Sequence, residues 1–170
     1  MIANIALLRA VNVGGTGKLP MQDLKSMCEE AGFAKVRTYI ASGNVLFESG
    51  APEAQIRAAL EAKLAEYAGK PVGVLVRTAA QMAAVLAGNP FPQAAPNRTV
   101  AIFLDAAPPA TALKAVSGQR GEEIRLGLRE IYVYYSVGMA DSKLKIPAAK
   151  SGTARNMNTV AKLVELAQKL

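Results

Sequence analysis

Apolar and polar positions in the first half of the chain follow strand and helix patterns in turn. Ile2 to Val11 is an apolar run that ends in a glycine-rich stretch, which predicts a buried strand followed by a loop. Apolar side chains at helical spacing between Pro20 and Gly32 predict a first helix. Further periodic segments predict strands over residues 36–40, 45–47 and 72–76 and a helix over residues 56–67. The resulting β-α-β-β-α-β order is typical of a ferredoxin-like unit.

The second half repeats most of this order without a close repeat in sequence. The pattern predicts a strand over residues 100–104, a helix over 108–116, a hairpin over 123–135 and a last helix over 160–167. We therefore expect an α+β protein of two ferredoxin-like subdomains, of which the second lacks its last strand. The predicted bounds are residues 1–88 and 99–170, joined by a proline-rich linker over residues 89–98. A single continuous α+β sheet is the alternative interpretation.

The amino-acid composition excludes several kinds of active site. The 170 residues contain no histidine, which excludes Ser-His and Cys-His catalysis and the commonest zinc ligand. Cys28 is the single cysteine, so an intrachain disulfide is impossible, and its position on the apolar stripe of the first helix predicts a core residue. No pattern in the chain predicts a metal site or a cofactor.

Charge favours an anionic partner. The net charge is +7, and residues 91–170 hold eleven Lys and Arg against six Asp and Glu. An excess of this kind is typical of proteins that bind nucleic acid or phosphorylated ligands. No apolar run reaches the roughly 18 residues of a membrane span, and the first residues lack the basic start of a signal peptide. We therefore expect a cytoplasmic protein without a membrane partner.

The first candidate site is the loop that follows the first strand. Gly14 and Gly15 can turn backbone N–H groups toward an anion, while Asn12 and Lys18 add a polar group and a positive charge. The loop lacks the Walker A pattern, because Asn12 replaces its first glycine and Leu19 its Ser/Thr. The alternative is a loop whose glycines only satisfy a backbone turn.

The second candidate site lies at the predicted start of the last helix. Thr153, Asn156 and Asn158 are residue types that cap helices, whereas Arg155 would oppose the helix dipole unless an anion or carboxylate compensates it. Lys143 lies in a basic segment just upstream. This combination predicts a phosphate site, and the alternative is a flexible loop before a well-capped helix.

The third candidate site combines the first strand with the hairpin that follows the first helix. Arg9 interrupts the apolar run, and a buried arginine needs a partner. Ser42 and Asn44 approach it if the first and third strands pair. The alternative is a structural arginine bonded to backbone carbonyls.

Several short segments, spread over nearly the whole chain, share a pattern with a known family. They are residues 6–15, 18–21, 32–33, 36–40, 42–45, 89–91, 142–144 and 153–160. These segments resemble the domain of unknown function 1697 family, with two departures, Ala10 for the family's glycine and Met157 for its frequent tryptophan. The resemblance implies an α+β fold with ferredoxin-like subdomains and implies no activity.

Together these patterns predict a protein that binds a phosphorylated ligand or nucleic acid through a basic site lined by glycine and asparagine. The alternatives are a small-metabolite enzyme that works without histidine, and a protein-interaction module that forms homo-oligomers. Whether the loop of Gly14 to Lys18 meets the segment of Thr153 to Thr159 in space is left open.

Overall fold

The computed structural model describes residues 1–9, 19–39 and 43–170. Within this part of the chain the protein is α+β, with two four-stranded antiparallel sheets and four α-helices. No helix of the described residues is long and apolar enough to cross a membrane. Five candidate residues lie outside the described residues, namely Asn12, Gly14, Gly15, Lys18 and Ser42.

The chain divides into two compact units. The first unit is residues 1–82 with residues 163–170, and the second unit is residues 83–162. Two helices, α3 (Ala79–Ala87) and α4 (Met157–Gln168), contribute residues to both units. The last eight residues therefore group with the first unit, whereas the sequence pattern assigned them to the second.

The first unit has the predicted order of elements. Its strands lie in the order β2-β3-β1-β4, and each neighbouring pair is antiparallel. The elements are β1 (Ile2–Leu8), α1 (Met21–Glu30), β2 (Ala34–Tyr39), β3 (Asn44–Ser49), α2 (Glu53–Ala68) and β4 (Val74–Thr78).

Alternation along the strands of the first unit places one set of side chains against α1 and α2. Ala6, Leu8 and Phe47 belong to the same buried cluster as apolar residues of both helices, and the Phe33 and Phe47 rings stack with centroids 4.2 Å apart. The opposite face is buried as well, since Leu7 is fully inaccessible. A sheet buried on both faces explains why β1 has a continuous apolar sequence rather than an alternating one.

The second unit contains a fourth strand that the sequence pattern did not predict. Its strands are β5 (Thr99–Phe103), β6 (Glu123–Leu126), β7 (Glu130–Tyr134) and β8 (Thr153–Asn156), in the order β6-β7-β5-β8. The expectation of a missing last strand is therefore wrong. β8 pairs with β5 from Phe103↔Thr153 to Val100↔Asn156, and it is too short and polar to be recognised by hydrophobic periodicity.

The prediction of a helix over residues 108–116 is also wrong. Within it only Ala112–Ala115 is helical, as a 3-10 turn. Prolines 108 and 109 supply no backbone N–H, and the short segment between them and Ser117 does not repay the cost of starting an α-helix.

The proline-rich segment 89–98 packs as part of the second unit. The Phe91 ring is buried, lies 6.1 Å from the Tyr134 ring and is covered by the Arg125 guanidinium at 5.7 Å. The backbone N–H of Phe91 donates to Oδ1 of Asn89 at 2.9 Å, which fixes a turn. These contacts make residues 89–98 a packed part of the second unit.

Candidate functional site

The carboxyl end of β1 lies between two connections of the first sheet. The Leu8 N–H donates to the Gly43 carbonyl at 2.8 Å, and the Arg9 N–H donates to the Gly73 carbonyl at 2.9 Å. Because β1 and β2 both run antiparallel to β3, their carboxyl ends meet at the same edge of the sheet. Residues 10–18 begin at one of these ends and residues 40–42 at the other.

We call this region the loop edge and define it by Arg9, Tyr39, Gly43, Asn44 and Gly73. Tyr39 pairs with Asn44, and Asn44 pairs with Leu7, so these three residues form a row across β2, β3 and β1 at the loop edge. The loop edge brings together the described members of the third predicted cluster, as expected if β1 and β3 pair.

The Arg9 side chain at the loop edge is exposed. The expectation of a buried arginine is therefore wrong, because β1 ends at Leu8 and Arg9 already lies in the turn beyond the sheet. The stem of Arg9 lies over Gly73, where an added Cβ would be 3.5 Å from the Arg9 Cβ. The backbone of Arg9 is thus fixed, and the residue as a whole is exposed.

The Asn44 side chain is fully buried. Its Nδ2 donates to the Tyr39 carbonyl at 3.0 Å, which bridges the two ends of the connection between β2 and β3. Asn44 therefore positions this connection.

Arg155 has a different environment from the one predicted. It lies in β8, before α4 begins, and its side chain is 7% exposed. Nη1 donates to Oγ1 of Thr153 at 2.8 Å and to the Ala154 carbonyl at 2.9 Å. Burial lowers the pKa of the guanidinium to about 10, so the group is still charged at neutral pH. The sequence predicted that this charge would oppose the dipole of the last helix. That prediction is wrong, because Arg155 lies in β8 and its side chain bonds to residues of the same strand.

The neighbours of Arg155 have structural contacts. Thr153 is buried and accepts the hydrogen bond from Arg155. Asn156 caps α4, since its Oδ1 accepts from the Thr159 N–H at 2.9 Å. Asn158 is exposed in the first turn of the helix. Capping, the alternative for this segment, accounts for Asn156.

Lys143 is exposed on a segment that contacts residues 117–122 closely. Ser117 and Lys145 exchange two backbone hydrogen bonds, at 3.0 and 2.8 Å. The Ser142 hydroxyl donates to Oε2 of Glu122 at 2.5 Å. The alternative of a flexible loop is not supported here, because backbone and side-chain contacts hold the segment at several points.

Sequence reasoning missed two buried charged residues, Arg77 and Glu122. Arg77 is 1% exposed in β4, and its Nη1 donates to the Val76 carbonyl at 3.0 Å. It ends an apolar run as Arg9 does, so the same signal was present. Glu122 is buried, and the hydrogen bonds from Ser142 and from the Arg120 backbone lower its pKa. No local pattern indicated that carboxylate, because its partner hydroxyl is twenty positions away.

Cys28 is buried in the core of the first unit, as predicted. Burial, assisted by the charge of Glu29, raises the pKa of its thiol to about 12. A thiol of this kind is not a nucleophile at neutral pH.

Comparison with known proteins identifies a family without a described activity. No curated protein matches the chain. A solved structure of a conserved bacterial protein from Streptococcus pneumoniae is similar, with a TM-score of 0.78 and 23% identity over 98% of both chains. That likeness shows a shared fold. The family model described as "Protein of unknown function (DUF1697)" matches residues 1–132. The chain therefore belongs to the DUF1697 family.

Proposed function

We propose that the protein binds a phosphate-bearing ligand at the loop edge of the first unit. The observation that carries this proposal is the pair of backbone hydrogen bonds that hold exposed Arg9 beside Gly43 and Gly73. They fix the backbone of a cationic residue at the sheet edge where the described parts of β1 and β2 end.

Each residue of the proposed site has a distinct role. The Arg9 guanidinium supplies charge and a planar pair of donors suited to phosphate oxygens. Asn44 is a positioning residue, because it is buried and bonded to Tyr39. Lys18 supplies a second charge, and Ser42 supplies a hydroxyl. The backbone N–H groups of Gly14 and Gly15 and the polar side chain of Asn12 complete the proposed set.

Residues of the second unit are left out of this proposed site. The Arg155 side chain is buried and bonded within β8, and Thr153 and Asn156 are engaged in structural hydrogen bonds. Lys143 and Asn158 are exposed on other elements of the second unit. The proposed function therefore rests on the first unit alone.

The sheet topology supports a ferredoxin-like fold for the first unit, which we also propose. The β-α-β-β-α-β order with strands arranged β2-β3-β1-β4 is the split βαβ arrangement. The second sheet has the equivalent strand order, β6-β7-β5-β8, although 3-10 turns, with no α-helix, lie between β5 and β6 and between β7 and β8.

A thermal-shift titration tests the proposed ligand class. Inorganic phosphate, pyrophosphate and ATP are titrated separately against the full chain, and at least one is expected to raise the melting temperature. A ligand present at 100 times its Kd stabilises the folded state by about 2.7 kcal/mol. Arg9→Gln is expected to weaken the binding of that probe by about 10- to 100-fold, since hydrogen bonds to charged groups contribute roughly 1.5–3 kcal/mol.

Arg57→Gln is the matched control. Arg57 lies in α2 of the same unit, paired with Glu61 at 3.3 Å, and its loss removes the same charge away from the loop edge. Equal affinities for the two variants would overturn the proposal.

A further inference from the structure

We propose that the second unit carries a separate basic surface that binds the phosphodiester backbone of a nucleic acid strand. We call this surface the basic clip, and it consists of residues 112–122 and 138–150. It lies wholly within the second unit, and its residues are distinct from those of the loop edge.

Backbone contacts fix the two segments of the basic clip against each other. Ser117 and Lys145 form an isolated antiparallel bridge with both hydrogen bonds made. Next to it, Gly118 has φ +71° and packs directly on the Lys143 carbonyl, where an added Cβ would overlap that oxygen. The backbone that carries the lysines is therefore held in one conformation before any ligand binds.

The carboxylate of Glu122 is directed into the clip. The Glu122 side chain is 3% exposed and accepts hydrogen bonds from the Ser142 hydroxyl and the Arg120 backbone N–H. Ser142 in turn accepts from the Leu144 N–H at 3.3 Å. The negative charge of Glu122 would weaken anion binding if it were exposed. It is instead buried, and its hydrogen bonds join the two segments.

Alternation directs the lysines of the clip to the solvent side. Leu144 and Ile146 are half-buried against the core of the second unit, whereas Lys143 and Lys145 are exposed. Residues two apart in extended chain are separated by about 7 Å, so each ammonium group is placed to contact a different phosphate.

Three further cations extend the surface. Arg120 is exposed on the facing segment, and Lys114 and Lys150 are exposed at two 3-10 turns that contact each other, Ala112–Ala115 and Pro147–Ala149. Against these five cations the two segments hold one exposed carboxylate, Asp141.

The chemistry of the clip favours contact with phosphates over reading of bases. Neither segment contains Phe, Tyr or Trp, so no aromatic ring of the clip can stack on a base. Fixed cations without aromatic side chains predict binding that is independent of base sequence and steeply dependent on salt. The rigid backbone reduces the entropy lost on binding.

Fluorescence anisotropy with a labelled oligo-dT strand tests the proposal. The double variant Lys143→Gln with Lys145→Gln is expected to weaken binding by about tenfold at low salt. The slope of log K against log salt is expected to fall by about 1.4, because each phosphate contact on a single strand contributes about 0.7. The control is Lys63→Gln with Lys169→Gln, which lowers the net charge equally through two lysines of the first unit that pair with Glu30 and Glu165.

A neutral variant separates fixed geometry from charge alone. Ser142→Ala leaves every lysine in place but removes the hydrogen bond to Glu122, so we expect it to weaken oligo-dT binding about two- to fivefold. The lysine double variant is expected to leave pyrophosphate binding at the loop edge unchanged, which distinguishes failure of this proposal from failure at the loop edge. Absence of oligo-dT binding at low salt, or equal loss in the lysine double variant and its control, would overturn the proposal.

Discussion

The Ser142 hydroxyl donates a 2.5 Å hydrogen bond to Oε2 of Glu122, twenty positions earlier in the chain. This bond joins the two segments of the basic clip, and with the Arg120 N–H it stabilises the ionised carboxylate. The pKa of Glu122 is therefore lowered, with the Ser142 hydroxyl as the largest cause.

The lowered pKa of Glu122 makes the stability of the second unit dependent on pH. A carboxyl whose pKa is depressed by folding contributes stability above its unfolded pKa, and this contribution is lost as the pH falls through the lower folded value. We expect Glu122→Gln to be less stable than the parent chain at neutral pH, and this difference to narrow in acid. Urea unfolding followed by circular dichroism over a pH series measures it, and a difference that stays constant with pH would contradict the prediction.

Gly118→Ala is expected to destabilise the protein through two additive causes. Its φ of +71° disfavours any side chain, and a Cβ would overlap the Lys143 carbonyl. Gly138→Ala is the matched control, because Gly138 has φ +90° but an added Cβ there would meet no atom within 4 Å. We expect the control to cost about 1 kcal/mol from backbone strain and Gly118→Ala to cost at least about twice as much. Equal costs in urea unfolding would show that the two segments are not in close contact.

Phe91→Ala tests whether residues 89–98 are a packed part of the second unit. The Phe91 ring is buried and contacts Tyr134 and Arg125, so its removal is expected to cost about 3 kcal/mol. A side chain of a mobile linker would change the free energy of unfolding by less than about 0.5 kcal/mol. Chemical denaturation distinguishes the two values.

Arg155→Ala is expected to affect stability and to spare ligand binding at the loop edge. The buried stem and the hydrogen bonds to Thr153 and Ala154 are lost together, at a cost of about 2–4 kcal/mol. The affinity for pyrophosphate, measured by calorimetry below the melting temperature, should match that of the parent chain. A selective loss of pyrophosphate affinity in a folded variant would assign Arg155 to the ligand site.

The first unit was predicted well because its elements are long and periodic. The strands around Leu7 and Phe47 and the helix stripe through Leu60 have burial patterns that the sequence alone indicates. The placement of Asn44 at the same sheet edge as Arg9 followed from a single condition, the pairing of β1 with β3, and that pairing is present. Ser42 lies outside the described residues.

The second unit depends more on contacts between distant residues. β8 has only four residues, and its last residue, Asn156, also caps α4. The sequence of β8 is therefore equally typical of the start of a helix. The contact of Gly118 with Lys143 joins segments that carry no signal for each other. The sequence shows that the segment is rich in lysine. Only the folded structure shows that contacts between the two segments hold the backbone that carries these lysines.

The most direct test of the ligand site is a two-dimensional amide NMR titration of the full chain with pyrophosphate. The largest shift changes are predicted at the amides of Arg9, Gly43 and Gly73, and Arg9→Gln should abolish them while Arg57→Gln retains them. Shift changes confined to the second unit, or none at any pyrophosphate concentration, would contradict a phosphate site at the loop edge.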